Sequence, residues 1–484
     1  MREAPEHFDV LIVGAGLSGI GAAAHLQAGC PDKSYAILEA RGAIGGTWDL
    51  FRYPGIRSDS DMYTLGYAFK PWTSPKAIAD GPSIRAYVRE TAAERDIDRH
   101  IRFGHRVIGA DWSSDNSRWT VEAETTDGRA SLTCNFLVLA AGYYDYEIGH
   151  RPTWSSEEDF QGPIVHPQFW PEGLDYSGKK VAVIGSGATA VTLVPEMART
   201  AALVTMVQRT PSYIVSRPSV DFIGEWLKRM LPARAAYAVT RWKNVLLTSL
   251  FYRLARRRPE KVARKLIQLA GDDIGERFDP KDFTPPYKPW DQRLCLVPDG
   301  DLFEAVREGK VRIATGAIER FTEKGLVLAT GEEVEADIVV AATGLKVVPL
   351  GKVAFGIDGR PIQPSDAMVY KGMMLSDVPN MMFVFGYTNA SWTLKADLSS
   401  AFLVRLLRQM DRSGASVAIA RRDPSVGDIP FLDFTSGYVK RALDRLPRQG
   451  ARRPWRLYQN YLLDLLTLRF GRVEDGTLAL ERRG

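Results

Sequence analysis

The sequence predicts an α/β protein with two parallel-sheet units, one inserted into the other, and a helical subdomain. Three observations support this prediction: a strand, glycine-turn and helix pattern occurs twice, a second short strand follows each copy, and an apolar strand ending in small residues closes each. The 484 residues and their 45% hydrophobic content exceed what one core usually holds, so we expect more than one domain.

The first copy of the pattern begins with an aliphatic run from Asp9 to Val13 and continues into an Ala-rich stretch from Ile20 to Ala28. Between them lie Gly14, Gly16 and Gly19, in the spacing GxGxxG. In a dinucleotide-binding turn the first glycine makes the bend, the second lets the backbone approach a pyrophosphate, and the third lets the helix pack on the strand. The helix N-terminus then faces the phosphates. This segment predicts a Rossmann-like unit.

An acidic residue follows the next strand of this first unit. The predicted strand from Tyr35 to Leu38 ends in Glu39, about 20 residues past the third glycine, where an acid binds ribose hydroxyls. Strand, turn, helix, strand and acid occur together, which favours a nucleotide site over a glycine turn with a surface glutamate.

The second copy differs from the first at the position of that acid. A strand from Val181 to Ile184 leads into a loop, and the next strand, from Leu203 to Val207, is followed by Arg209 and Thr210. The residues of this loop that we predict to contact the cofactor are Gly185, Ser186, Gly187, Ala188, Thr189, Ala190 and Val191. A guanidinium can bind a 2′-phosphate that a carboxylate would repel. We therefore assign FAD to the first unit and NADPH to the second, although an arginine at a strand end is also often a solvated surface charge.

The closing strands suggest how the units are connected. The runs from Asn135 to Gly142 and from Asp337 to Gly344 both end in small residues, which are needed where the backbone passes close to a cofactor. We expect a first FAD-binding segment over residues 1–145, an NADPH-binding domain over 146–344 with a helical insertion at about 218–290, and a second FAD-binding segment over 345–484.

Two longer motifs connect the chain to a family. The segment from Gly45 to Asp59 resembles the motif GGxWxxxxYPGxxxD, and the segment from Phe160 to Pro171 resembles the fingerprint FxGxxxHxxxWP. Both are typical of type I Baeyer-Villiger monooxygenases, sisters of the flavin-containing monooxygenases. The segments from Lys288 to Cys295 and from Gly386 to Asp397 resemble the branch that activates the thioamide prodrug ethionamide in mycobacteria, and this similarity covers nearly the whole chain.

The resemblance implies an activity and a set of site residues. Such enzymes bind FAD and NADPH, use O2 through a C4a-peroxyflavin, convert ketones to esters or lactones, and oxidise sulfides or thioamides. Arg293 matches the catalytic arginine, and Asp59 would orient it; Gln292 departs from the lysine that many members place before that arginine. The further FAD contacts implied, besides those of the glycine turn, are Ser18, Gly46, Thr47, Trp48, Asp49, Leu50, Arg57, Ser58, Asp59 and Val107.

The insertion between the second unit and Arg293 has an amphipathic pattern. An apolar stripe at spacings of three and four is formed by Val239, Trp242, Leu246, Leu250 and Leu254, and four basic residues, Arg253, Arg256, Arg257 and Arg258, cluster at its end. Docking on an anionic membrane is one interpretation. We favour the other, a helical subdomain packed on the NADPH unit with a solvated basic face.

Other classes of protein fit less well. The net charge of +5 is too diffuse to argue for nucleic acid, and no apolar run reaches the ~20 residues of a membrane span, so we expect a cytoplasmic enzyme acting on a small ketone or sulfide and O2. Cys30, Cys134 and Cys295 form no CxxC pair, so neither a disulfide reductase nor a metal site is predicted. The alternative is an N- or S-oxidising flavin-containing monooxygenase without ketone activity, and a non-catalytic NADPH sensor would have no use for Arg293.

Overall fold

The first sheet is built from segments that lie far apart in the chain. The computed structural model describes residues 5–432 and 437–482. In spatial order, with the last strand branching off Gly128–Leu139, the nine strands are Arg360–Ile362, Ala354–Ile357, Arg106–Ser113, Arg118–Thr125, Gly128–Leu139, Glu6–Val13, Tyr35–Leu38, Ile101–Arg102 and Met381–Phe383. The strand Glu6–Val13 pairs in parallel with both Tyr35–Leu38 and Gly128–Leu139. Its side chains alternate between two cores: Val10 and Ile12 pack on one face, Leu11 and Val13 on the other.

The second sheet is wholly parallel and comes from the middle of the chain. Its five strands are, in spatial order, Val311–Thr315, Leu203–Gln208, Lys180–Ile184, Ile338–Ala341 and Ile164–Val165. Val181 and Val183 face one core, and Ala182 and Ile184 face the other, because a sheet covered on both sides needs apolar residues at successive positions.

Two short strands join the two sheets. Tyr144–Gly149 leaves the first sheet, Leu345–Val347 returns to it, and they pair antiparallel. Asp145 on the outgoing strand has a buried side chain and binds Lys352 at 2.7 Å and Lys346 at 3.4 Å. These ion pairs hold the outgoing and returning chains together at the crossing.

The helical insertion consists of Phe222–Met230, Ala233–Arg257, Pro259–Ile274 and Pro280–Phe283. We call Ala233–Arg257 the insertion helix. The subdomain packs on the second unit through Ala270 and Ile274 of Pro259–Ile274. The predicted apolar stripe takes no part in this packing, because all five stripe residues are 41% to 63% exposed. The opposite side of the insertion helix is buried against the first unit: Arg241 donates to the carbonyl oxygens of Tyr63 and Gly66, both at 2.7 Å, and pairs with Asp397 at 3.3 Å. A periodic pattern identifies one face of a helix, but these buried polar contacts decided which face turns inward.

The remaining elements cover the two sheets. The other helices are Leu17–Gly29, Thr47–Leu50, Met62–Leu65, Gly81–Glu94, Ala188–Met197, Asp301–Arg307, Trp392–Ser413, Gly437–Lys440 and Tyr461–Asp464, the last continuing as a π-helical turn, Leu465–Phe470. The smaller paired strands are Ile214–Arg217 with Cys295–Pro298, Ile318–Thr322 with Gly325–Leu328 and Glu333–Glu335, Val369–Tyr370 with Met374–Leu375, Val417–Ala420 with Leu478–Glu481, and Asp428–Pro430 with Arg448–Gly450. Within the described ranges, the helices lack the combination of length and apolarity that crossing a bilayer requires.

Candidate functional site

The first glycine turn joins the strand Glu6–Val13 to the helix Leu17–Gly29 under tight steric limits. Gly14 has a φ of +102°, and a Cβ there would stand 2.7 Å from the Ala140 carbonyl oxygen. A Cβ on Gly19 would stand 1.9 Å from the carbonyl oxygen of Gly14, which explains why this position holds glycine in the helix–strand contact. A Cβ on Gly46 would stand 3.0 Å from the Cα of Gly16. The backbones of Gly16 and Gly46 therefore approach each other closely.

Glu39 supports the turn from the next strand. Its carboxylate accepts hydrogen bonds from the backbone N–H of Ala15 at 2.7 Å and of Arg41 at 2.9 Å. Burial raises the pKa of Glu39, and the hydrogen bonds from Ala15 and Arg41 oppose this. A carboxylate held in this way has lone pairs left for ribose hydroxyls.

An open cleft with a cavity volume of about 320 Å³ runs from the first glycine turn to the joining strands. Of the residues predicted to bind FAD or to act in catalysis, those that line it are Gly14, Gly16, Ser18, Glu39, Gly46, Thr47, Trp48, Ser58, Asp59, Val107 and Arg293. The helix Leu17–Gly29 begins at this cleft, with Gly16 as its N-cap. Unpaired N–H groups at a helix start, a glycine cradle and a carboxylate suit a dinucleotide, so these residues fit FAD.

Arg293 and Asp59 meet at the wall of this cleft. Arg293 Nε lies 2.8 Å from Asp59 Oδ2, and Nη2 donates to Oδ1 at 3.0 Å. The pair is bidentate, which fixes the plane of the guanidinium. Asp59 comes from the first unit and Arg293 from the segment before the strand Cys295–Pro298, so residues 234 positions apart are brought together.

Four residues predicted to contact FAD do not line the cleft. Gly19 lies in the helix–strand contact, and the partly buried Leu50 packs against the core of the second unit. Asp49 is buried and binds Arg41 at 2.7 Å, Arg85 at 3.2 Å and Arg52 at 3.6 Å. Arg57 pairs with Asp301 and reaches the carbonyl oxygen of Val191 at 3.5 Å. Asp49 and Arg57 therefore brace the walls of the cleft from behind.

The second glycine turn is more open than the first. Gly185 has a φ of +142°, and a Cβ there would stand 2.3 Å from the carbonyl oxygen of Ala342, whereas a Cβ on Gly187 would meet open space among the described residues. The helix Ala188–Met197 begins here, and its first turn carries Thr189, Ala190 and Val191. Ser186 Oγ donates to the carbonyl oxygen of Thr210 at 2.9 Å, which ties the turn to the segment after the next strand.

Arg209, just past the strand that follows this second turn, interacts electrostatically with a second arginine, Arg441. Arg209 and Thr210 are exposed just past the strand Leu203–Gln208. Burial, and after it the charge of Arg209, lowers the pKa of Arg441. Two like charges repel each other, and an anion bound near both guanidiniums would relieve that repulsion. Sequence reasoning did not identify Arg441, because it lies 232 positions further along the chain and has no motif around it.

Aromatic residues to which the sequence assigned no role also line the cleft. The Trp392 Nε1 donates to Ser18 Oγ at 2.8 Å, and the Trp392 ring stacks on Tyr143 with ring centres 5.1 Å apart. Both rings, together with Tyr146 and Tyr387, line the cleft. The run of tyrosines directly after the small residues that end at Gly142 was the available signal for Tyr143 and Tyr146.

His166 of the fingerprint motif lies behind the joining strands. A Cβ on Gly149 would stand 2.2 Å from the imidazole, so the ring fills the space beside that glycine. Its Nδ1 accepts from the backbone N–H of Gln168 at 3.2 Å, and burial lowers its pKa. The imidazole is therefore neutral near pH 7 and packs at the crossing between the two sheets.

Comparison with known proteins agrees with this geometry. Residues 75–350 match the family model described as flavin-binding monooxygenase-like, and residues 12–89 match an NAD(P)-binding Rossmann-like domain. The chain is similar to the FAD-containing monooxygenase EthA of Mycobacterium tuberculosis, with 55% identity over 481 residues, 99% of this chain and 98% of that protein. It is 52% identical to EthA of Mycolicibacterium smegmatis over 476 residues, 98% of this chain and 97% of that protein.

The solved structures bear on the fold. A structure described as oxidized steroid monooxygenase bound to NADP superposes with a TM-score of 0.78 at 22% identity, covering 98% of this chain and 100% of that one. The fold class predicted from the sequence is confirmed by this likeness. With relatives above 50% identity over nearly its whole length, the chain belongs to the flavin-binding monooxygenase-like family, as its motifs predicted.

Proposed function

We propose that this protein is a Baeyer-Villiger monooxygenase that uses FAD, NADPH and O2 to convert ketones to esters or lactones and to oxidise sulfides or thioamides. The observation that supports this most directly is the bidentate pair of Arg293 and Asp59, which faces a cleft shaped for a dinucleotide. A reductase that only passes hydride to flavin needs no such cation beside the ring. When bound, FAD and NADPH supply the redox and oxygen-activating chemistry.

Arg293 would stabilise negative charge that develops beside it. Asp59 holds the guanidinium plane through two hydrogen bonds, so the guanidinium has a fixed orientation at the cleft before the substrate arrives. A ketone oxygen gains negative charge when its carbon is attacked, and a preorganised donor lowers the free energy of that state. We therefore assign Arg293 as the catalytic residue and Asp59 as the residue that positions it.

The residues of the first unit would bind FAD. The turn from Gly14 to Gly19 and the start of the following helix would take the pyrophosphate, and Glu39 would accept hydrogen bonds from the adenosine ribose. Ser18 Oγ accepts the Trp392 indole N–H, so its own proton remains available for a phosphate oxygen. Tyr143 and Trp392 would exclude water from the part of the cleft that holds the flavin ring.

The residues of the second unit would bind NADPH. The turn from Gly185 to Gly187 would take the pyrophosphate, since a Cβ at Gly187 would occupy open space that a phosphate needs. Arg209 and Thr210 would bind the 2′-phosphate and so select NADPH over NADH, with Arg441 as a second cation. The inclusion of Arg441 is supported by the charge of Arg209 lowering its pKa, after burial.

We propose the same domain organisation as the sequence suggested: residues 1–145 and 345–484 for FAD, and 146–344 for NADPH, with the helical insertion at about 218–290. Its support is that the nine-stranded sheet draws strands from both outer segments, and the five-stranded sheet only from the middle one. We also propose that the enzyme works in the reducing cytosol, where Cys30, Cys134 and Cys295 remain unpaired.

A turnover assay under isotopically labelled oxygen tests this function. The FAD-loaded protein is incubated with NADPH and a panel of phenyl ketones and phenyl sulfides, and products are analysed by mass spectrometry. We expect esters and sulfoxides that each carry one labelled oxygen atom. NADPH consumed entirely as hydrogen peroxide across the panel would refute the proposal, and sulfoxides without any ester would favour the alternative without ketone activity.

A further inference from the structure

The helical insertion exposes a large apolar surface. Of the eighteen exposed large hydrophobic side chains among the described residues, eleven lie between Phe222 and Leu254. These eleven, which we call the apolar face, are Phe222, Ile223, Trp226, Met230, Leu231, Val239, Trp242, Leu246, Leu247, Leu250 and Leu254. Phe222 is 72% exposed and Leu250 63%. Such clustering is unusual, because scattered exposed hydrophobic residues are normal but large groups mark an interaction surface.

The orientation of the insertion helix is set by its other side. Arg241, Asn244 and Thr240 are buried there, and Asn244 donates to Asp61 at 2.9 Å while Arg241 pairs with Asp397. Turning the apolar face inward would break these contacts. Each buried polar or charged side chain that lost its partner would then cost free energy. The apolar face therefore points outward, since the polar residues on the other side of the helix bind the first unit.

Basic residues accompany the apolar face. Residues 222–258 contain nine Lys and Arg residues and a single acid, Glu225. Arg241 lies on the buried side, and Lys228, Lys243 and Arg256 pair with Glu225, Asp221 and Asp291. The other five are exposed: Arg229, Arg234, Arg253, Arg257 and Arg258. Arg253 and Arg257 are exposed and follow Leu250 and Leu254 by three positions, so they lie on the same side of the insertion helix. A surface of apolar side chains bordered by cations is complementary to an anionic bilayer, into which apolar groups insert while cations meet the headgroups.

We propose that the apolar face docks the enzyme on an anionic lipid bilayer. The helices Phe222–Met230 and Ala233–Arg257 would lie in the plane of the interface with their apolar side chains among the acyl chains. A second copy of the chain is a poorer occupant, because pairing this face with itself would bring two sets of like charges together. The docking proposal is independent of the assignment of the catalytic residues.

Docking would also place the cleft next to the membrane. Trp242 of the apolar face contacts Tyr461, with ring centres 5.9 Å apart, and Tyr461 contacts Tyr387, with ring centres 6.4 Å apart. Tyr387 lines the cleft, and Val245 on the buried side of the insertion helix packs in the same small core. A lipophilic ketone or sulfide dissolved in the bilayer would thus have a short apolar path to the cleft; this consequence rests on the proposed function.

Vesicle flotation of the FAD-loaded protein tests the docking. Vesicles contain phosphatidylcholine alone or mixed with anionic phosphatidylglycerol, and the bound fraction is measured at low and high salt. The variants are Leu246→Glu with Leu250→Glu, Arg253→Glu with Arg257→Glu, and Ile148→Glu as a matched control, because Ile148 is 52% exposed on a joining strand outside the apolar face. Retained flavin absorbance shows that each variant is folded.

The expected results follow from the two parts of the docking surface, its apolar side chains and the cations beside them. The wild type and Ile148→Glu should float with anionic vesicles, less so at high salt, and the leucine variant should bind more weakly by roughly tenfold for each side chain. The arginine variant should lose the preference for anionic vesicles. Equal flotation of the leucine variant and the wild type, or no flotation of the wild type with any vesicle, would overturn the proposal.

Two further readouts separate the remaining explanations. If the wild type is a dimer that binds no vesicles, and the leucine variant is a monomer, the face is a contact between copies and the docking proposal is wrong. Turnover of a short, water-soluble ketone should be the same in the wild type and the leucine variant, whereas turnover of a long-chain ketone in vesicles should fall in the variant. Absence of product from both ketones, with flotation intact, would refute the proposed function and leave docking standing.

Discussion

Replacing Arg293 separates a catalytic role from a structural one. In the folded protein the side chains of Arg293 and Asp59 are 37% and 29% exposed, so solvent screens their attraction. An ion pair of this kind contributes only about 0–1 kcal/mol to stability. Loss of a preorganised donor at a developing negative charge instead costs ~3–4 kcal/mol, or a factor of roughly 100 to 1000 in rate. We therefore expect Arg293→Ala to retain its fold and its flavin but to lose ester formation by that factor.

The assay follows the two half-reactions separately. Anaerobic stopped-flow mixing with NADPH measures flavin reduction, which should be largely unchanged in Arg293→Ala, and mass spectrometry measures ester formation. Asp59→Asn retains an acceptor but loses its charge, so it should slow ester formation by only about tenfold. If reduction and ester formation fall together in Arg293→Ala, or its thermal midpoint drops steeply, Arg293 is a structural partner and its catalytic assignment fails.

Three further substitutions test the fold and the cofactor sites. Arg241→Met leaves Asp397 without its buried partner and should cost about 3–5 kcal/mol in urea unfolding, whereas Arg253→Met on the exposed side should cost under ~0.5 kcal/mol; equal costs would contradict the anchoring role of Arg241. Gly19→Ala places a Cβ 1.9 Å from the Gly14 carbonyl oxygen and should abolish FAD retention on gel filtration, while Gly42→Ala, whose Cβ meets open space among the described residues, should retain FAD as the wild type does. Arg209→Glu should raise KM for NADPH by roughly 30- to 150-fold and leave KM for NADH nearly unchanged, with Arg199→Glu as the exposed control; an unchanged preference for NADPH would show that Arg209 is only a surface charge.

Local patterns predicted the elements of the nucleotide-binding units well. The strands from Tyr35 to Leu38 and from Lys180 to Ile184 lie where their apolar runs indicated, because strands buried on both faces leave an unbroken hydrophobic signal. The glycine turns were equally visible, since a positive φ or a close backbone approach excludes other residues at Gly14 and Gly185. The roles of Asp49 and Arg57 were harder to predict, because a motif position does not show whether its side chain faces a ligand or braces the wall behind it.

The sequence alone determined the fold class, the two glycine turns and the family, because these depend on local backbone limits and short spacings that leave a record in adjacent residues. Tertiary structure alone decided which groups interact: Arg293 with Asp59, Arg441 with the charge of Arg209, and Trp392 with Ser18. It also decided that the apolar face of the insertion points outward, since the hydrogen bonds of Arg241 that hold the opposite side come from distant segments. Periodicity along a helix is a one-dimensional property, whereas the direction of each face depends on the partners that the folded chain supplies.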